Sequence, residues 1–184
     1  MPAEILTLST YLPNHLPDIK QTLLDVYAEV WAQEAAEDPF FSLPRFEERL
    51  LGHATEGEWR CVIGEIGQQV VGYAYGRRDN LQEWESVLHP ISQDVADYGR
   101  QGTWGLCEIM VRSPWRGQGI GYAIHRELTR QQKGPRTSLL VDSRRSDTRA
   151  VYERWGYRKV GQMQPGPDSP LYDAMVLELP EACP

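Results

Sequence analysis

The sequence predicts an α/β protein whose sheet mixes strand directions. Three observations carry this reading. Two strand-like runs, at 59–66 and 69–77, are separated only by Gly67-Gln68, as in a hairpin. A short apolar run at 107–111 leads through a glycine-rich turn into an amphipathic helix. Strand, short helix, strand and a final strand then follow to the end of the chain.

Each element has its own signal. Ile5, Leu6 and Leu8 suggest a first strand over 4–10, which Pro13, Asn14 and Pro17 break. From Ile19 onward, Leu23, Val26 or Tyr27, and Val30 or Trp31 recur at helical spacing. The segment 32–44 reads as a loop, and Phe46, Leu50 and Leu51 suggest a short second helix closed by Gly52. After the hairpin, 79–102 reads as a mostly irregular acidic insertion with about one helical turn, interrupted by Pro90. Ile120, Ile124 and Leu128 mark the helix after the glycine turn, and Gly134-Pro135 ends it. A strand at 137–142 precedes a short helix to Trp155, capped by Ser146 or Asp147, with Val151 and Trp155 on its buried side. Gly156 stops that helix, 157–163 is a further strand, and a Pro/Gly-rich link leads to the last strand at 173–179. Length and the lack of any repeat or linker predict a single domain over 1–184.

Composition narrows the class. An apolar content of 41% argues against disorder, and no run approaches 18 apolar residues, so no membrane span is expected. The first ten residues lack the basic and apolar regions of a signal peptide. Cys61, Cys107 and Cys183, odd in number and far apart, suit free thiols in a cytoplasm better than a disulfide scaffold. The histidines are scattered and no Cys or His pair has metal-ligand spacing, so no metal site is expected. The net charge of −7 hides an asymmetry. Residues 1–99 carry 6 Lys/Arg against 17 Asp/Glu, whereas 100–160 carry 13 against 5. That basic block coincides with the glycine turn and would draw in an anion. Nucleic acid also seeks basic surfaces, but the chain is acidic overall and shows no basic stripe interleaved with aromatics.

The turn itself is Arg116-Gly117-Gln118-Gly119-Ile120-Gly121. A helix start presents unpaired N–H groups and the positive end of the helix dipole, and glycines leave them open to an anion. Tyr122-Ala123 after Gly121 excludes a Walker loop, and Tyr122 at the sixth position from Gly117 breaks the dinucleotide fingerprint. What remains is Arg116-x-x-Gly119-x-Gly121 after a strand and Pro114, beside which stands the plainer reading of a strand-to-helix connection. It resembles the acetyl-CoA pyrophosphate loop of the GNAT family, the Gcn5-related N-acetyltransferases. Tyr152-x-x-x-Gly156-Tyr157, about 36 residues on, resembles the second motif of that family, with Tyr for the usual Phe. The family's upstream Asn is replaced here by Arg145, or nearby Asp147. The resemblance is firm over 104–161; the first 100 residues agree in element order only.

The resemblance implies a mixed, mostly antiparallel sheet of about 6–7 strands flanked by about four helices. It implies acetyl transfer from acetyl-CoA, as acyl-donor cosubstrate, to a primary amine, by direct transfer in a ternary complex. Backbone N–H groups of 118–121 (Gln118, Gly119, Ile120 and Gly121) would hold the pyrophosphate, with Gly117 in the same turn and Arg116 adding charge. Ile109, Met110 and Val111 would pair with the pantetheine arm as an added strand, and an N–H near Met110 or Val111 would polarise the thioester carbonyl. Tyr152 would protonate the departing thiolate; its alternative role is a packing aromatic. Glu108 lies within an otherwise apolar strand, where a carboxylate is costly without a partner. It is either the base for the incoming amine or one member of a buried ion pair with an arginine. Cys107, on the other side of the strand, reads as a small buried hydrophobe rather than an acyl-carrying nucleophile.

By the same analogy the acceptor lies against the first two helices and neighbouring loops. Two segments there, 21–44 and 79–99, contain acids and no Lys or Arg. They point to a cationic small-molecule amine, or alternatively are a solvated surface. No nucleic acid or membrane partner is expected, and a homodimer is compatible. An acyl-CoA-binding protein without turnover, a protein or peptide N-acetyltransferase, a different acyl group and a nucleotide-binding module are the rival readings.

Overall fold

In the computed structural model, which describes residues 5–180, seven strands form a sheet in the order β1-β2-β3-β4-β5-β7-β6. The strands are β1 (Leu6–Tyr11), β2 (Arg60–Ile66), β3 (Gln69–Arg78), β4 (Thr103–Val111), β5 (Arg136–Asp142), β6 (Arg158–Met163) and β7 (Tyr172–Glu178). The ladders β1–β2, β2–β3, β5–β7 and β6–β7 are antiparallel, and β4–β5 is parallel. The mixed α/β class expected from the sequence is the class observed. Six α-helices occur among the described residues: α1 (Leu16–Val30), α2 (Ala32–Glu37), α3 (Leu43–Thr55), α4 (Leu81–Glu85), α5 (Ile120–Thr129) and α6 (Ser146–Arg154). None is long and apolar enough to cross a membrane. The chain divides into two compact units, with the boundary inside β4.

The first unit takes in residues 1–77 and 108–131. Gly67, at φ 62°, makes the tight turn that joins β2 to β3. Register places Ile63 opposite Tyr73 and Cys61 opposite Tyr75, so these four share one face. On that face the Tyr73 hydroxyl donates to Leu23 O at 3.2 Å, which fixes α1 against the sheet. Tyr27 of α1 stacks on Phe46 of α3 with centroids 3.7 Å apart. The other face, carrying Val62 and Gly64, meets α5. A Cβ at Gly64 would lie 3.0 Å from Ile124 Cδ1, so glycine is what allows this close approach.

The second unit takes in 78–107 and 132–184. Its segment 79–102 is better ordered than the sequence suggests. Asn80 and Glu83 form a reciprocal capping box that starts α4, at 2.9 and 3.0 Å. A 3₁₀ helix (Gln93–Asp97) follows. Trp84, Val95 and Tyr98 bury themselves in a core with Val160, Met163, Ala174 and Val176. Leu88 pairs in antiparallel fashion with Gln162, and Ile91 N–H reaches Val160 O at 2.9 Å. This segment therefore covers the outer edge of β6, which ends the sheet. Trp84, Val95 and Tyr98, with partly buried Val87 packed against them, drive this, too few and too unevenly spaced to show as a period.

Other boundaries also shift. The expected loop at 32–44 contains α2, formed by the helix-favouring run AQEAAE. A 3₁₀ helix (Pro39–Phe41) follows, capped by the Asp38 side chain on Phe40 N–H. The second helix runs through Gly52 to Thr55, because that glycine sits on an exposed face with nothing within 4 Å of its Cβ position. Strand β4 starts at Thr103 rather than 107. Arg145 occupies the N-cap of α6 with no side-chain cap, and Val151 and Trp155 are half-buried rather than core. Residue 4 of the predicted first strand and Cys183 lie outside the described residues.

Candidate active site

The glycine turn is built as a short 3₁₀ segment (Ser113–Trp115), an exposed loop and α5. Gly117 and Gly119 both hold left-handed backbone, at φ 75° and 79°, where a side chain would be strained. No heavy atom lies within 4 Å of either missing Cβ, so the loop presents bare backbone to open space. Gly119 is the N-cap of α5, which leaves the N–H groups of Ile120 and Gly121 without partners in the helix. Of the predicted donors, Ile120 and Gly121 lie in this first turn, while Gln118 and Gly119 approach it. Arg116 Nε donates to Val111 O at 2.9 Å and Gln118 Nε2 to Pro114 O at 3.2 Å, so both long side chains brace the loop. A phosphate fits such a site: a helix N-terminus, open amides and an arginine beside them.

In β4, Leu106 and Met110 are buried and Glu108 is half-buried on the same side, as alternation requires. The parallel ladder to β5 takes in only Thr103 to Leu106. The backbone of Ile109, Met110 and Val111 therefore stands outside that ladder. Arg112 N–H, just beyond, bonds back to Val71 O at 2.9 Å.

Glu108 lies within electrostatic range of Tyr27 of α1, Tyr73 of β3 and Arg49 of α3. Neither phenol has a proton to offer it. Tyr73 donates to Leu23 O, and Tyr27 donates to Phe41 O at 3.1 Å while accepting from Arg49 Nη2 at 3.3 Å. Among the described residues no hydrogen bond or ion pair is made by the Glu108 carboxylate. Burial thus pushes its pKa up from 4.5 to about 7, only partly opposed by the Arg49 charge. Among the described residues Glu108 makes no ion pair with an arginine. Burial, then the Glu108 charge, raises the Tyr27 phenol in turn, with Glu34 adding to it.

Tyr152 lies on α6 in the second unit, half-buried, with ring centroids 5.5 Å from Trp155 and 6.0 Å from Tyr157. Gly156, at φ 98°, ends the helix one residue before the buried Tyr157. The sequence motif and the helix end coincide. Cys107 is half-buried, with Sγ 3.8 Å from Gly105 O, and is not the fully buried hydrophobe expected.

The acids of 79–99 are largely committed within their own unit. Asp79 accepts from Trp84 and Ser138, and Glu83 completes the capping box. Glu85 and Asp97 pair with Arg100, and Asp94 bonds Ser92. Of the acids in 21–44, Glu29 pairs with Arg112, Asp38 caps a 3₁₀ helix and Asp25 accepts from Gln21; the charge of half-buried Glu34 acts on Tyr27.

A family model described as the acetyltransferase (GNAT) family matches residues 17–157. The chain belongs to the GNAT family of acetyltransferases. This GNAT chain matches no curated protein. Its fold is shared by a GNAT-family acetyltransferase from Streptococcus agalactiae, at 13% identity and TM-score 0.67, covering 96% of both chains. It is also shared by the ribosomal-protein-S18-alanine N-acetyltransferase from Escherichia coli, at 16% identity and TM-score 0.60, covering 97% of each. The PaiA N-acetyltransferase from Thermoplasma acidophilum, solved with coenzyme A, matches at 10% identity and TM-score 0.57, covering 95% of this chain and 99% of that one. Arg49, Tyr27 and Tyr73, the groups that make the GNAT chain's Glu108 unusual, carry no signal of their own in the sequence. They are distant in sequence and meet only through packing; the spacing of Tyr27 and Tyr73 reads simply as core.

Proposed function

We propose that this GNAT chain transfers an acetyl group from acetyl-CoA to the primary amine of a cationic small molecule, by direct attack in a ternary complex. The observation that carries the reading is Glu108, a carboxyl group raised to about 7 within the strand that runs into the open glycine loop. An alkylammonium has a pKa of about 10.4, so moving its proton to a carboxylate at about 7 costs ~5 kcal/mol. An ordinary carboxylate at 4.5 would cost about 8 kcal/mol. Turnover at about 10–1,000 per second allows a total barrier of ~13–16 kcal/mol, so the raised value removes a substantial share of it.

In this reading Glu108 takes the amine proton, directly or through water, and the freed lone pair attacks the thioester carbonyl. An N–H near Met110 or Val111 stabilises the resulting oxyanion. Collapse breaks the carbon–sulfur bond, and the thiolate leaves with a proton from Tyr152, whose role rests on the family motif. The loop amides at 118–121 and Arg116 hold the pyrophosphate. The acid-bearing, Lys/Arg-free run 21–44 supports a cationic acceptor. The acids of 79–99 give less support, since they are engaged internally. The test is thiol release from acetyl-CoA across cationic, neutral and anionic amines at pH 8. Fastest release with cationic amines is expected; preference for an anionic amine sinks the acceptor assignment.

The second reading, an acyl-CoA-binding protein without turnover, keeps the loop and gives no role to the perturbed Glu108. It predicts coenzyme A binding with no thiol release for any amine.

A further inference from the structure

The helix that carries Tyr152 has little of its own to hold it in place. Helix α6 is nine residues long, its N-cap Arg145 makes no side-chain cap, and none of its residues is fully buried. A helix this short depends on tertiary contacts for its position. Two attachments supply them, both within the second unit. At the C-terminal end the Tyr152 ring packs edge-on to Tyr157 with centroids 6.0 Å apart, and Tyr157 is buried and hydrogen-bonded with Thr137 of β5. Nearer the start of the helix, Arg149 Nη1 donates to Asp173 Oδ2 at 2.8 Å. Arg149 precedes Tyr152 by three positions, so the two side chains are neighbours on the helix surface.

Asp173 is a fixed point for such a tether. It lies on β7, which is paired on both sides, and stands opposite Val141 of β5 and Gln162 of β6. Its side chain is only 1% exposed. The other carboxylate oxygen accepts from Lys159 Nζ at 2.6 Å and from Gln162 Nε2 at 3.2 Å, both on β6. A carboxylate buried to this extent needs such partners to stay ionised. Two of the three come from the neighbouring strand, and Arg149 is the one that reaches it from α6.

We propose that Asp173 and Arg149 are positioning residues: their ion pair ties α6 to an interior strand of the sheet and so sets where the Tyr152 hydroxyl stands. The inference rests on Tyr152 being the acid that protonates the departing thiolate. Tyr152 sits between the two attachments, so losing the Arg149 tether leaves its helix held at the Tyr157 end alone. Arginine suits the task, because its guanidinium keeps its charge at every working pH and its N–H groups point in fixed directions. One of them meets Asp173 while Nε lies 3.5 Å from Glu153 on the same helix, which restrains the side chain at both ends.

The measurement is thiol release from acetyl-CoA at pH 8 by the full-length protein, with the fastest amine of the cationic, neutral and anionic series, for Arg149→Met, Tyr152→Phe and the two combined. Arg149→Met keeps the aliphatic stem and leaves Asp173 with Lys159 and Gln162, and circular dichroism checks that it is folded. Its kcat should fall about 10-fold or more while KM for acetyl-CoA stays within about 2-fold. In the Tyr152→Phe background the same substitution should slow the reaction no further, because the group it positions is already gone. Lys159→Met removes the other ion pair to the same carboxylate without touching α6, and should leave kcat unchanged. A wild-type kcat in folded Arg149→Met overturns the inference, as does a loss that adds in full to that of Tyr152→Phe, or an equal loss in Lys159→Met. Should Arg149→Met fail to fold, Arg149→Gln, which keeps a neutral hydrogen-bond donor, should lower kcat by about 3-fold, and an unchanged kcat there overturns the inference. Failure of the underlying reading looks different: Tyr152→Phe alone would then turn over at the wild-type rate, which removes the acid and the inference with it.

Discussion

Replacing Glu108 by glutamine should make the protein more stable and less active, and the stability gain should depend on pH in a particular way. In the folded chain the Glu108 carboxyl sits near 7, against 4.5 for an unperturbed group. The folded state therefore binds more protons than the unfolded state between these values, so stability falls as pH rises through that window. Below about 4.5 both states are protonated and no penalty exists; above about 7 the penalty is complete. A shift of this size corresponds to about 3 kcal/mol, an upper figure because the half-buried carboxylate keeps some contact with water. Glutamine mimics the protonated acid in shape and carries no charge at any pH. The difference in unfolding free energy between Glu108→Gln and wild type should be small at pH 4, open between 4.5 and 7, and level off near 2–3 kcal/mol by pH 8. Urea unfolding followed by circular dichroism at a series of pH values reads it directly. A difference that stays flat from pH 4 to 8, or a less stable variant at pH 8, refutes the claim that burial sets this carboxyl. The same energy that destabilises the fold makes Glu108 a stronger base, as stability and activity often oppose one another at functional sites.

Further outcomes are expected elsewhere. Tyr152→Phe should slow thiol release by about 10²-fold or more while acetyl-CoA affinity changes little; an unchanged rate removes Tyr152 as the acid. Gly119→Ala should lose about 1–2 kcal/mol, since nothing crowds the new methyl but the backbone at φ 79° disfavours it, and a calorimetric melt unchanged within a degree contradicts this. Gly72→Ala should cost about 1–3 kcal/mol and reduce kcat, because the added Cβ would collide with Met110 O and displace β4 where the oxyanion donor is proposed. Asp173 is buried and accepts from Lys159 at 2.6 Å and Arg149 at 2.8 Å. Burial raises its carboxyl, but the hydrogen bonds from Lys159, Arg149 and Gln162 outweigh that and hold it below the ordinary 3.8. Its stabilising effect should therefore persist at neutral pH and fade as pH falls below about 4, and a chemical-denaturation series of wild type against Asp173→Asn over pH 2–7 checks it.

What the amino-acid sequence determined by itself was everything encoded within a few residues of itself. The glycine turn was legible because Gly117 and Gly119 sit at left-handed positions that other residues avoid, and α5 because Ile120, Ile124 and Leu128 repeat on one face. The β2–β3 hairpin, the end of α6 at Gly156 and the carboxylate inside an apolar strand were legible for the same local reasons. Tertiary structure decided the rest. Only packing shows that Gly52 is tolerated within α3, that Trp84, Val95 and Tyr98 order the segment 79–102, and that its acids have internal partners. Only packing brings Tyr27, Arg49 and Tyr73 within electrostatic range of Glu108, from two helices and a strand spread over 46 positions of sequence. A carboxyl group's acidity is a property of its surroundings, and those surroundings are assembled by contacts that no local spacing records.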